Sequence, residues 1–426
     1  MTVDAGANRQ PHAEAPGPTS IRAAERALAP DLGRGLMLLF IAMSNTAFHL
    51  WNSDYGPSGW QPVNGNWADH TVQFAMIVGL DLRIYPLFAF LFGYGMMQLF
   101  LRQKASGQDE RAVVRLLRRR SLWMIVIGFA HASLLMAGDI VGFYGLVSLV
   151  LGWLFLRRSD RALKWWIGTA ATVLVVLAAQ PVVTTVLTGG DLGSIGDADA
   201  TEPGSEAYAA DKENWLAAAG TRMTTGLFLI GVAAPLVLVS GGFVIFLVGY
   251  WAARRRILEE PGKHLKLLRR TAVTGIAIGW LGALPAALAH VGALDVSADA
   301  QSDSGPLFTL RDVTGNVAGL GYIAAVALFV HWWTRHPHRR GARAITAVSA
   351  VGKRSLSCYL THSLLFAPLL AAWGLGLGEH LTSASMVLVA LAVWLVTVAG
   401  AYALELRGKR GPAEAVLRRL MYAKRT

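Results

Sequence analysis

Apolar residues run in blocks close to the ~20 residues that an α-helix needs to cross a bilayer, and those blocks recur along most of the chain. They run from Leu36 to Trp51, Leu122 to Ala137, Leu227 to Trp251 and Met386 to Leu404, among others. Apolar residues make up 54% of the 426 and charged residues 15%, against roughly 25% charged in a soluble protein. Such a chain folds as an all-α polytopic membrane bundle.

The formal charge of +12 would suit nucleic acid, but its placement does not. Of 39 Lys and Arg, all but Arg83, Lys212, Arg222 and Arg311 fall in alternate connections and the two tails. The basic stretches are 102–120, 157–164, 254–270, 335–354 and 407–425, whereas 191–213 and 295–303 are acidic. Strict alternation is the positive-inside pattern, so basic charge reports topology and anionic lipid rather than a nucleic-acid partner. Helices are expected at about 32–52, 82–101, 120–137, 139–156, 165–188, 223–252, 271–292, 312–334, 352–373 and 384–405. This gives about ten crossings with both termini cytoplasmic in the plasma membrane.

Residues 1–30, without an apolar core, read as a disordered cytoplasmic tail rather than a signal peptide. The bundle then occupies 31–406, and 407–426 a basic amphipathic tail. Stretches 342–351 and 413–422 have the spacing of interfacial helices. Residues 60–80 are expected along the outer interface, and Pro86 to break the second crossing. The single cysteine, Cys358, excludes a disulfide and a thiolate zinc site. No phosphate loop, dinucleotide fingerprint or HExxH motif is present.

Ionisable groups within apolar spans are costly, so each marks either a packing hydrogen bond or a site. His49, His70 and His131 stand with Asp81 and Asp139 as candidates for general base chemistry. Arg83, Tyr144, Tyr359, His362 and Ser363 are candidates to line the same polar cavity, which would equally serve as a transport path. Arg34, Arg118, Arg119 and Arg120, on the basic side, suit either anionic lipid or the phosphates of a nucleotide-like donor. His131 and Asp139 are eight residues apart. On a straight helix they would sit about 80° and ~12 Å apart, so they are expected to share the cavity only indirectly, Asp139 through Arg83 or a backbone amide.

Several motifs, taken together, resemble the YeiB family of bacterial membrane proteins over nearly the whole chain. They are Asp31-x-x-Arg34-Gly35 with Asn45, and Tyr85-Pro-Leu-Phe-Ala-Phe-Leu-Phe-Gly-Tyr-Gly95. Further on come Gly128-x-x-His131-x-x-Leu-Leu-x-x-Gly138-Asp139-Ile-x-x-x-Tyr144, Gly352-Lys-Arg-Ser-Leu-Ser-Cys-Tyr359-Leu-x-x-Ser363, and Gly411-Pro412-x-Glu414. That family is in turn similar to the transmembrane acyltransferases, which move an acyl group from acyl-coenzyme A inside to a glycan or other acceptor outside, using a buried histidine. The resemblance implies acyl transfer to a cell-envelope acceptor, glycan or lipid. Acyl-coenzyme A would be the substrate, with no resident cofactor and no metal. Arg34 and Arg118–Arg120 would hold the donor, one of His70, His131 or His49 would act as base, and Asp139 or Asp81 would orient it. The alternative is a transporter or exporter of a small or lipid-linked molecule.

Overall fold

The computed structural model describes residues 27–189, 204–336 and 341–422. The expected disordered tail lies almost wholly outside them, as does most of the acidic stretch 191–213. The described residues are helical, with no strand and one isolated bridge, Tyr55 to Pro62. In chain order the helices are α1 (Leu28–Thr46), α2 (Trp67–Gly79), α3 (Ile84–Ala105), α4 (Glu110–Leu134), α5 (Ile140–Phe155), α6 (Asp160–Thr188), α7 (Gly204–Tyr208), α8 (Trp215–Phe228), α9 (Ala234–Val239), α10 (Val244–Arg254), α11 (Leu265–His290), α12 (Ala298–Gln301), α13 (Pro306–Thr334), α14 (Ala342–Lys353), α15 (Ser355–Leu370), α16 (Ser383–Leu406) and α17 (Pro412–Tyr422).

Six helical stretches among the described residues are long and apolar enough to cross a membrane: 84–105, 160–184, 215–239, 261–290, 298–334 and 383–406. The protein is therefore an all-helical membrane protein. Three further apolar helices, α5, α10 and α15, are shorter. Many outward-facing Leu, Val and Trp side chains, Val175, Leu187, Leu236 and Leu388 among them, are more than half exposed, as lipid-facing positions are in a bundle.

Two expectations about helix continuity are corrected. Pro86 does not break α3. It lies in the first turn, where a missing amide costs no intrahelical bond. The single helix expected over 223–252 is instead interrupted after Val239. Gly241 adopts φ +83°, and a side chain there would overlap the Ala170 carbonyl, so the chain turns tightly against α6 and restarts as α10. The two amphipathic stretches do form helices, α14 and α17. The 60–80 stretch holds α2, whose start is fixed by a capping box between Asn66 and Asp69.

Two of the three out-of-pattern arginines hold backbone carbonyls. Arg83 is fully buried and donates to the carbonyls of Asp81 and Gly279, the latter at 2.7 Å. Arg222 on α8 is 1% exposed and donates to Ser133 O (3.3 Å) and Leu134 O (3.2 Å). Those are last-turn carbonyls of α4, which have no intrahelical partner, so Arg222 caps the helix where it stops.

Candidate functional site

Helix α4 ends at Leu134, before the glycine at 138, and this changes the geometry of its polar residues. The amides of Leu135 and Met136 both bond back to His131 O, and residues 135–138 fold into a turn. Asp139 then caps α5, accepting from the Gly142 amide at 2.5 Å. The turn returns Asp139 to the preceding helix, and its Oδ1 lies 2.8 Å from His131 Nδ1. The expected indirect relationship is thus replaced by direct contact, because the helix is not regular through Gly138. Asp139 bonds to His131 and to the Gly142 amide in the first turn of α5, and Arg83 bonds to the carbonyls of Asp81 and Gly279.

Both side chains are 2% exposed. The carboxylate sits at the N-terminus of α5, where the helix dipole favours negative charge. With Nδ1–H donating to Asp139, the lone pair of His131 lies on Nε2, which is buried and has no hydrogen-bond partner. Gly128, one turn before His131, makes the pairing possible. A Cβ there would overlap the Asp139 carboxylate and the Gly142 amide.

Tyr359 of α15 closes one side of this pair. Its ring lies 5.1 Å from the imidazole, and its hydroxyl accepts from Ile140 N (3.3 Å) and donates to Gly138 O (3.4 Å). Tyr208 also reaches Gly138 and meets His49 edge-on at 5.9 Å. Both ring nitrogens of His49 are buried without a partner.

Tyr359 also lines a cavity of about 730 Å³. Its deep wall is apolar, from Phe88, Phe92, Met124 and Val141. Its mouth is basic, with Arg34, Arg102, Arg354, Lys409 and Arg418. Helices α1, α3, α15 and α17 and the 407–411 connection all contribute, so basic segments distant in sequence meet at one end of the bundle. Glu414 of α17 caps α15 by accepting from Leu356 N (2.8 Å) and Ser357 Oγ (2.5 Å). Arg354 donates to Glu405 (2.7 Å) and to Lys409 O (2.5 Å).

The four donor-side arginines separate. Arg34 lines the cavity while bonded to Asp31 and Leu91 O, each at 3.3 Å. Arg120 lines it above the Phe92 ring at 4.9 Å. Arg118 is exposed, and Arg119 donates to Leu420 O of α17; neither borders the cavity. Arg120, Met124 and His131 fall on one face of α4, and the eleven residues from Arg120 to His131 rise about 16 Å.

The remaining candidates do not join the pair by hydrogen bonds. His70 Nδ1 meets Gln73 (3.2 Å), and His362 Nε2 meets Thr397 (3.1 Å). Asp81 accepts from Ser44 and Gln61, each at 3.0 Å. Tyr144 donates to Tyr85 O (3.0 Å), and Ser363 to Met136 Sδ (3.2 Å). Ser363 therefore touches the turn that carries Asp139. Reasoning from sequence missed Arg222 and Tyr208 as parts of the site. The signal for Arg222 was its position outside the alternating charge pattern. Among the described residues, no group of three His, Cys, Asp or Glu gathers to hold a metal.

Residues 252–424 match the family model described as "Protein of unknown function (DUF418)". The chain is 25% identical over 399 residues to uncharacterized protein YxaH of Bacillus subtilis strain 168, covering 87% of this chain and 88% of that one. It is 26% identical over 408 residues to uncharacterized protein YeiB of Escherichia coli K12, covering 93% and 96%.

Proposed function

Since the chain belongs to the YeiB-like membrane proteins, we propose that it is a transmembrane acyltransferase. It takes the acyl group of an acyl-coenzyme A entering from the basic end and delivers it to a hydroxyl or amine of a cell-envelope acceptor. One observation carries the reading: a buried His131–Asp139 pair with a bare Nε2 stands against the tyrosine that closes a basic-mouthed cavity.

In this reading His131 Nε2 takes the acceptor's proton as its oxygen or nitrogen attacks the thioester carbonyl. The C–S bond breaks, the ester or amide forms, and the coenzyme leaves as thiolate and is reprotonated. Asp139 holds the imidazole tautomer and stabilises the imidazolium. Arg34 and Arg120 receive the phosphates. Arg120 lies about 16 Å along α4 from His131, and an extended amide-linked arm of four to five residue lengths covers roughly that distance. The orientation that fits is ten crossings in the plasma membrane, both termini cytoplasmic, with the basic cavity mouth facing the cytoplasm.

The test is purified protein in lipid nanodiscs with radiolabelled acetyl-coenzyme A and envelope extract. Thiol release that requires His131 supports the reading. Solute flux in proteoliposomes, with no thiol release under any acceptor, would replace it with a transporter.

A further inference from the structure

We propose that Tyr359 is the partition between the donor cavity and the His131–Asp139 pair, and that its side chain limits the size of the acyl group that reaches the imidazole. This rests on the donor reading of the cavity, but the partition is a geometric claim with its own test. One part of the Tyr359 side chain forms cavity wall, and the His131 ring lies 5.1 Å from its own ring, inclined at 51°. Tyr359 is 3% exposed and Val141, beside it, 4%, so the wall is closed at this point.

The closure is lightly fastened. Both hydrogen bonds of the hydroxyl, 3.3 Å from Ile140 N and 3.4 Å to Gly138 O, are at the long limit for such bonds. Rotation about two side-chain torsions would release them and open a passage one ring wide. The neighbouring wall of Phe88, Phe92, Met124 and Val141 is apolar, and the one charge beside it is the Arg120 guanidinium over the Phe92 ring. A short uncharged acyl group can lie against those apolar side chains, while the phosphates stay with Arg34 and Arg120. Tyr359 also shares α15 with Leu356, whose amide Glu414 caps at the cavity mouth, so mouth and partition are carried by one rigid element.

The experiment places a thiol at the pair and asks what reaches it. His131→Cys in a Cys358→Ala background, in nanodiscs, is treated with a small methanethiosulfonate and with a bulky disulfonated stilbene maleimide. With Tyr359 present, the small reagent labels Cys at 131 and the bulky one is excluded. Tyr359→Ala admits the bulky reagent, raising its rate by an order of magnitude or more. Tyr359→Phe keeps the ring but loses both hydrogen bonds; it speeds the small reagent and still excludes the bulky one. Bulky labelling as slow in Tyr359→Ala as in the parent, at an equal melting temperature, would remove the partition. Should Tyr359→Ala not fold, an unchanged small-reagent rate in Tyr359→Phe does the same. Neither readout needs turnover, so failure of acyl transfer and failure of the partition are separate results.

Discussion

His131 Nδ1 and Asp139 Oδ1 are 2.8 Å apart, although one residue lies in the last turn of a helix and the other caps the next. The contact exists because three devices end α4 early: the bonds of Leu135 and Met136 to His131 O, the carbonyl cap from Arg222, and the capping of α5 by Asp139 itself. Removing the imidazole with His131→Ala should lower acyl-coenzyme A thiol release by ~10²–10⁴, the usual worth of a general base. Asp139→Asn keeps the shape, loses the charge and should do less damage. Both variants should reach the membrane at normal levels, measured by immunoblot. Full activity in His131→Ala at normal abundance would leave the histidine a packing group.

Gly128→Ala tests the same pair without touching either member. The added methyl must displace the Asp139 carboxylate or the α5 amide, and overpacking of this kind costs about 1–3 kcal/mol. Thermal unfolding in detergent should shift down accordingly, and thiol release should fall towards that of Asp139→Asn. A neutral result in both assays would mean that the two helices part easily at this point.

The arginines give a divided expectation. Arg34→Gln and Arg120→Gln should each weaken coenzyme A binding and flatten its dependence on salt, because they border the cavity. Arg118→Gln, exposed and outside it, should leave both unchanged. Isothermal titration at two ionic strengths distinguishes the cases; equal loss from all three would point to a diffuse field rather than a site.

Topology is open to direct labelling. Cysteine at Lys212, an exposed position, should react with an impermeant maleimide in intact cells. Cysteine at Gly107, in the exposed turn after α3, should react only after lysis. The native Cys358 is buried and contributes little background. The opposite pattern would invert the orientation and, with it, the side from which a donor enters.

Asp69 supplies a pH prediction. Burial pushes its carboxyl up, but hydrogen bonds from Ala384 N and Asn66 N, both 2.9 Å, outweigh burial and hold it below the usual carboxylate range. A depressed folded value means that this stabilisation is complete above the ordinary carboxylate range and is lost as pH falls through the depressed value. Asp69→Asn should destabilise the protein at neutral pH by about 1.5–3 kcal/mol, the scale of a hydrogen bond to a charged group. It should also make the acid limb of the melting curve shallower. An acid limb identical to the parent's would assign the acid sensitivity to other carboxylates.

Apolar length and charge alternation made the helices legible because both are sums over many residues, insensitive to any one contact. The split at Gly241 and the early end of α4 were not legible, because each depends on a partner far away in sequence: the Ala170 carbonyl in one case, Arg222 in the other. The histidines could be enumerated but not ranked. Nothing near His131 in the chain distinguishes it from His362, whose Nε2 is held by Thr397, until the turn brings Asp139 back. Arg118 and Arg120 are likewise alike in sequence. Helix rotation alone sends one outward and the other over Phe92.

The anchoring of α17 has a bearing on genetics. Leu417 and Met421 are buried, Arg418 and Tyr422 border the cavity, and Glu414 caps the helix that carries Tyr359. A nonsense mutation just after Arg410 leaves every bilayer-length helix intact, so the truncated product would insert and accumulate while lacking one wall of its cavity. Such an allele would score as null by phenotype and as wild type by membrane abundance. The codons for α17 deserve the same weight in a mutant screen as those for the buried histidine.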